Sequence, residues 1–146
     1  MAQGDCIVLN NFKEQMLLKS IDCDTDVFKV ALYSVALASP DGADVAYSVT
    51  NEISGSGYTA GGATVQTPVV TQDDANDRAK WDDDGSNLTW SSLAANTILE
   101  ARLYDDTTAT KWVLLLWEIA TNSNGANYSL NFHAECDMLL TAFCRK

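Results

Sequence analysis

The chain has one histidine, His133, and four cysteines, Cys6, Cys23, Cys136 and Cys144, none of them spaced as C-x-x-C. Zinc sites need paired Cys and His ligands at short spacing, so that chemistry is excluded. Cations are scarce too: 9 Lys plus Arg stand against 20 Asp plus Glu, a net charge of -11 over 146 residues. Nucleic acids and anionic membranes are held by clustered cations that displace counterions, so neither is expected as a partner. The surplus of carboxylates reads first as solubility and second as steering toward a basic surface. The longest apolar run, Trp112 to Trp117, is far short of the roughly 20 residues that a membrane-spanning helix needs. The opening "MAQGDCIVLNNF" lacks a basic start followed by an apolar stretch, so it does not read as a secretory signal and the chain is expected to be soluble and made in a cytoplasm. In that reducing setting the cysteines are expected as buried free thiols, with disulfides, in three pairings if all four join, as the alternative.

Helical periodicity is nearly missing as well. Only "NNFKEQMLLKSID", residues 10–22, places Phe12 and Met16 on one stripe, with Asn10 or Asn11 available as a cap. What remains is abundant in strand formers and aromatic rings: 47% hydrophobic residues, with four Trp, five Tyr and four Phe. A chain of this length buries about 70% of its unfolded surface, enough for a core, so disorder is excluded.

Alternation begins at Val27 and continues to the end. "DVFKVALYSVAL" sets Phe28, Val30 and Leu32 against Lys29, Ala31 and Tyr33, and "SPDGAD" ends the strand. "DVAYSVTNEI", "ATVQTPVVTQ", "LTWSSL", "TILEARLYDD", "YSLNFHA" and "DMLLTAFCRK" read as further strands, Pro68 placing the second of these at a sheet edge. "KWVLLLWEIA" is apolar on both faces and is expected to be a central, doubly covered strand. Asn124-Gly125 is the strongest hairpin signal. Seven to nine short strands predict an all-β fold, a β-sandwich or jelly-roll-like barrel with one short N-terminal helix. The chain reads as one domain, residues 1–26 forming the helix and arm and 27–146 the sandwich.

Four of the eight glycines fall in "NEISGSGYTAGGATV". Gly55, Gly57, Gly61 and Gly62 permit positive φ and close backbone approach, so the stretch is expected to be a tight corner between strands. Tyr58 is expected to anchor that corner, its ring packed beneath and its hydroxyl bonded to backbone. A phosphate loop is rejected, because no Lys follows and the chain continues as strand.

Candidate chemistry is thin. Asp73, Asp74, Asp77, Asp82, Asp83 and Asp84 cluster near Gly85, but the spacing of a calcium loop is incomplete, and a solvated acidic turn is the favoured reading. His133, Glu135 and Cys136 do not share a strand face. Ser54, Ser56 and Thr59 lack a nucleophile elbow. Glu100 and Glu118 read as outward-facing, and Arg102 as half of a structural ion pair. Trp112 and Trp117 read as core. Trp81, inside the acidic segment with Asp82, Asp83 and Asp84, reads as a partner contact. No catalytic residue, metal ligand or cofactor is expected.

The order of "FKVALY", "NEISGSGYTAGG", "LTWSSL", "ARLYDD" and "NSNGANYSLNF" resembles a family of small virion proteins of tailed bacteriophages, across residues 10–132, with Asn51 to Gly62 the most specific element. Here Ser123-Asn124-Gly125-Ala126 stands where that family has a second glycine. The resemblance implies a non-enzymatic capsid decoration or cement protein on the virion surface. On that reading it is a homotrimer contacting the major capsid protein, with the helix and glycine corner near the contacts. A tail, baseplate or neck component is the alternative. A carbohydrate-binding adsorption module using Trp81 or Tyr58 is a second.

Overall fold

The computed structural model describes residues 6–38, 45–66, 68–75, 78–82 and 87–130, with the backbone alone at 73, 78, 80 and 82. Within them lie nine strands and one helix: β1 (Cys6–Val8), α1 (Asn10–Leu17), β2 (Phe28–Tyr33), β3 (Ala63–Thr64), β4 (Val69–Asp73), β5 (Arg78–Asp82), β6 (Leu88–Trp90), β7 (Asn96–Asp105), β8 (Val113–Ser123) and β9 (Tyr128–Leu130). A five-stranded sheet runs β1-β8-β7-β2-β3, and two-stranded sheets form from β4-β5 and β6-β9, every pair antiparallel. The fold is all-β and sandwich-like with a short N-terminal helix, as the alternation predicts.

Both faces of the large sheet are covered. Phe28, Val30 and Leu32 of β2 join Leu103 of β7 and Leu115 of β8 in one apolar cluster, closed by Phe12, Trp81, Leu88 and Trp90 from the helix and the two small sheets. Ala31 and Tyr33 join Tyr104, Val113 and Leu116 on the other face, beneath Leu37, Val45 and Tyr47. Each large apolar side chain so enclosed contributes about 1.5–3 kcal/mol. The expectation that β8 is covered on two sides holds: Val113, Leu114, Leu115 and Leu116 are all buried. A register shift opposite Leu103 and Tyr104 inserts Leu114 as an extra residue, which sends Leu114 and Leu115 into the same cluster.

Several local expectations are corrected. The helix ends at Leu17, and neither asparagine caps it: Leu9 occupies the N-cap, while Asn11 is buried and donates Nδ2 to the Val113 carbonyl at 3.0 Å. "DVAYSVTNEI" builds no strand in its described part, Val45 onward, forming only isolated bridges at Ala46 and Glu52. Its alternation is real, but it serves to lay Val45 and Tyr47 against the second face. "ATVQTPVVTQ" divides into β3 and β4. Asn124-Gly125 closes no hairpin between neighbours, since β9 pairs with β6; the turn carries the chain from one sheet to another. Cys6 is disulfide-bonded and not a free thiol, whereas Cys23 keeps its free thiol. No described helix is long and apolar enough to cross a membrane. The turn at residues 39–44 and the strand expected at 137–146 lie outside the described residues.

Candidate functional site

The glycine corner closes on a residue that sequence reasoning passed over, Glu52. Its Oε1 accepts from the Tyr58 hydroxyl at 2.6 Å and the Gly61 N–H at 2.7 Å, and its Oε2 accepts from the Tyr47 hydroxyl at 2.8 Å. Tyr58 in turn accepts from the Leu32 N–H at 3.0 Å, so the hydroxyl of the anchor is bonded to backbone as expected. Tyr104 donates to the Gly61 carbonyl at 2.8 Å and stacks on Tyr47 with ring centroids 4.3 Å apart. A carboxylate accepting hydrogen bonds from neutral phenols and an amide forms stronger bonds than neutral pairs do. The signal for Glu52 was its place nine residues before Gly61, but spacing alone does not reveal a partner in space.

Two glycines are required by contact as well as by φ. A Cβ on Gly62, at φ +75°, would run into the Val30 carbonyl of β2, and one on Gly57, at φ +79°, into the carbonyls of Ser91 and Ser92. The corner therefore lies directly on β2 and on the turn after β6. Gly55 and Gly61 also have positive φ, so all four glycines named from the sequence belong to one built structure.

Burial first, and then the neighbouring Glu52 carboxylate, pushes the Tyr47 and Tyr58 hydroxyls far above their ordinary value. Burial does the same to Tyr104, and it raises Tyr33 to about 12. All four remain protonated donors at any physiological pH. Each is committed to an internal acceptor: Tyr33 reaches the Ser48 carbonyl at 2.8 Å.

A second polar constellation lies on the same face of the sheet. Arg102 Nε meets Glu100 Oε1 at 2.5 Å, its guanidinium lies 3.6 Å from the Tyr33 ring centroid, and its Nη2 donates to the Val35 carbonyl at 3.0 Å. Glu100 Oε2 accepts from the Leu37 N–H at 3.1 Å. The ion pair expected for Arg102 is present. The outward-facing reading of Glu100 is corrected: it is 1% exposed, because the chain after β2 folds back over it.

Trp81 is corrected likewise. It is buried between Phe12 and Phe28, at centroid distances of 5.7 and 4.7 Å, and its Nε1 donates to the Cys23 carbonyl at 2.9 Å. Its indole faces inward, packed on Phe12 of α1 and Phe28 of β2, so it is core and not an exposed contact. Asp82 sits at the end of β5, and Asp83, Asp84, Asp77 and His133 lie outside the described residues. Trp112 and Trp117 are half-buried against the core. Among the described residues no three His, Cys, Asp or Glu side chains converge as a metal cluster. Burial raises the Cys23 thiol to about 11, which suits packing and not nucleophilic attack. No family model, curated protein or solved structure matches the chain.

Proposed function

We propose that the chain is a non-enzymatic structural protein of a phage particle, a decoration or cement protein that stabilises an icosahedral head by bridging major capsid protein subunits. One observation carries this reading. The distinctive residues of Asn51 to Gly62, the stretch on which the resemblance to small phage virion proteins chiefly rests, are spent on internal bonds or close backbone approach: Glu52, Tyr58 and Gly61 bond one another, and Gly57 and Gly62 touch neighbouring backbone. A motif used this way preserves a shape. Cement needs an unyielding shape, because many modest contacts repeated over a shell add up only when each copy keeps its geometry.

The sugar-stacking alternative loses support, since Trp81 is buried and the Tyr58 hydroxyl is bonded inward. The test is to add purified, labelled protein to phage particles lacking it. The expected result is labelling of heads by electron microscopy and a higher temperature of head disruption. Label confined to tails transfers the assignment to a tail, baseplate or neck component, and absence of binding to any particle rejects the reading.

A further inference from the structure

The β4–β5 hairpin is fastened to the body through one of its two strands. On β5, Trp81 is buried among Phe12 and Phe28; directly opposite it on β4, Val70 is 50% exposed, with Val69 at 38%. Thr71 and Gln72 are exposed as well, and among the described residues β4 pairs with β5 alone. Among the described residues the outer backbone of β4 is thus an open sheet edge built from β-formers, the kind of edge that folds usually blunt with charge. Here four consecutive residues, Val69 to Gln72, carry no charge, in a chain whose net charge is -11. Pro68, which has no N–H, limits the ladder at one end and Asp73 bounds it at the other.

We infer that this edge is a self-association surface on which β4 of a second copy pairs antiparallel, giving a four-stranded β5-β4-β4-β5 sheet across a two-fold axis. Two copies at -11 repel each other, so a self-contact is tolerable where charge is missing from the seam. Centred on Thr71, the pairing sets Val70 against Gln72 and Val69 against Asp73, so no like charges meet. A strand recruited by electrostatics from a basic partner would require an acidic edge instead. The pairing is isologous and closes with two copies, unlike the trimer expected by resemblance. The seam is one short strand against its copy, so the dimer is expected to be weak and to form at the upper end of a concentration series.

Sedimentation over a concentration series tests this. A monomer–dimer equilibrium that tightens as salt rises is expected, because screening relieves the mutual repulsion. Val70→Lys should weaken dimerisation by about tenfold or more, with unchanged melting temperature. That substitution lowers the net negative charge, so bulk electrostatics would shift association the other way. A chain monomeric at every concentration and salt overturns the inference, as does a dimer or trimer whose affinity Val70→Lys leaves unchanged. Neither result depends on whether the protein binds phage heads.

Discussion

Gly62 and Tyr58 fail in different ways when substituted, and the difference separates backbone strain from a lost hydrogen bond. Gly62→Ala would force a side chain into the Val30 carbonyl at φ +75°, where neither strand can shift without breaking the sheet. The expected cost is on the order of 3 kcal/mol or more, read as loss of the folded baseline in urea titration. Tyr58→Phe keeps the ring but removes one donor to Glu52 and the acceptor of the Leu32 N–H, a cost of about 1–3 kcal/mol on the same titration. Asp105 shows a titration effect. It is fully buried; its Oδ1 accepts from the Thr107 N–H at 2.7 Å, while Oδ2 has no hydrogen-bond partner among the described residues. Burial above all, with nearby Asp26, raises its pKa above the ordinary 3.8. The folded state therefore binds this proton more tightly than the unfolded chain. Stability from this group is full below 3.8 and is lost as pH rises through the folded value. Asp105→Asn keeps the Oδ1 acceptor and removes the charge, so its melting temperature should exceed wild type at pH 7, with the gap closing toward pH 3.8. Asp106 has the opposite sign. Burial pushes it up, but ion pairs with Lys111 and Lys29 outweigh that and hold it below the ordinary value, so its contribution is lost in acid.

At the level of elements, the buried Glu100–Arg102 pair couples β7 to the chain that leaves β2. Arg102→Ala strands the Glu100 carboxylate at 1% exposure and should cost about 3–5 kcal/mol in urea titration. The double change Glu100→Gln with Arg102→Met should recover a large part of that loss. If both variants lose equally, packing of the guanidinium on Tyr33 outweighs the charge pairing. These elements also show what was legible in the sequence. β2, β7 and β8 could be read because long alternating or doubly apolar runs report burial directly. β5 could not: "RAKWD" has one large apolar residue and sits among aspartates, and only the site of Trp81 between Phe12 and Phe28 makes it part of the body. Period-two spacing in residues 45–53 signalled which side chains are covered, and it misled on hydrogen bonding, since a ladder needs a partner strand and that stretch finds only isolated bridges. The corner glycines and Tyr58 were visible from composition. Glu52 was not, because its three donors converge only after folding. The extra residue at Leu114 and the left-handed φ of Ala120, which lies where β8 shifts register, leave no mark in a hydrophobic pattern.

Across the whole molecule, burial is uneven. β7 and β8 lie inside a sheet covered on both faces, while β4 stands at the margin with exposed side chains. Amide exchange should follow that gradient: slowest at Ala101 to Tyr104 and Leu114 to Leu116, and faster by orders of magnitude at Val70 to Gln72. Uniform protection across these segments would show that the hairpin opens only with global unfolding. The same sheet joins Cys6 to Trp117 and Val8 to Leu115 through β1 and β8. A ribosome must therefore release well over a hundred residues before the first strand meets its neighbour. Until then β1 waits without its partner strand, and nascent copies emerging close together are at their most vulnerable to pairing with the wrong molecule.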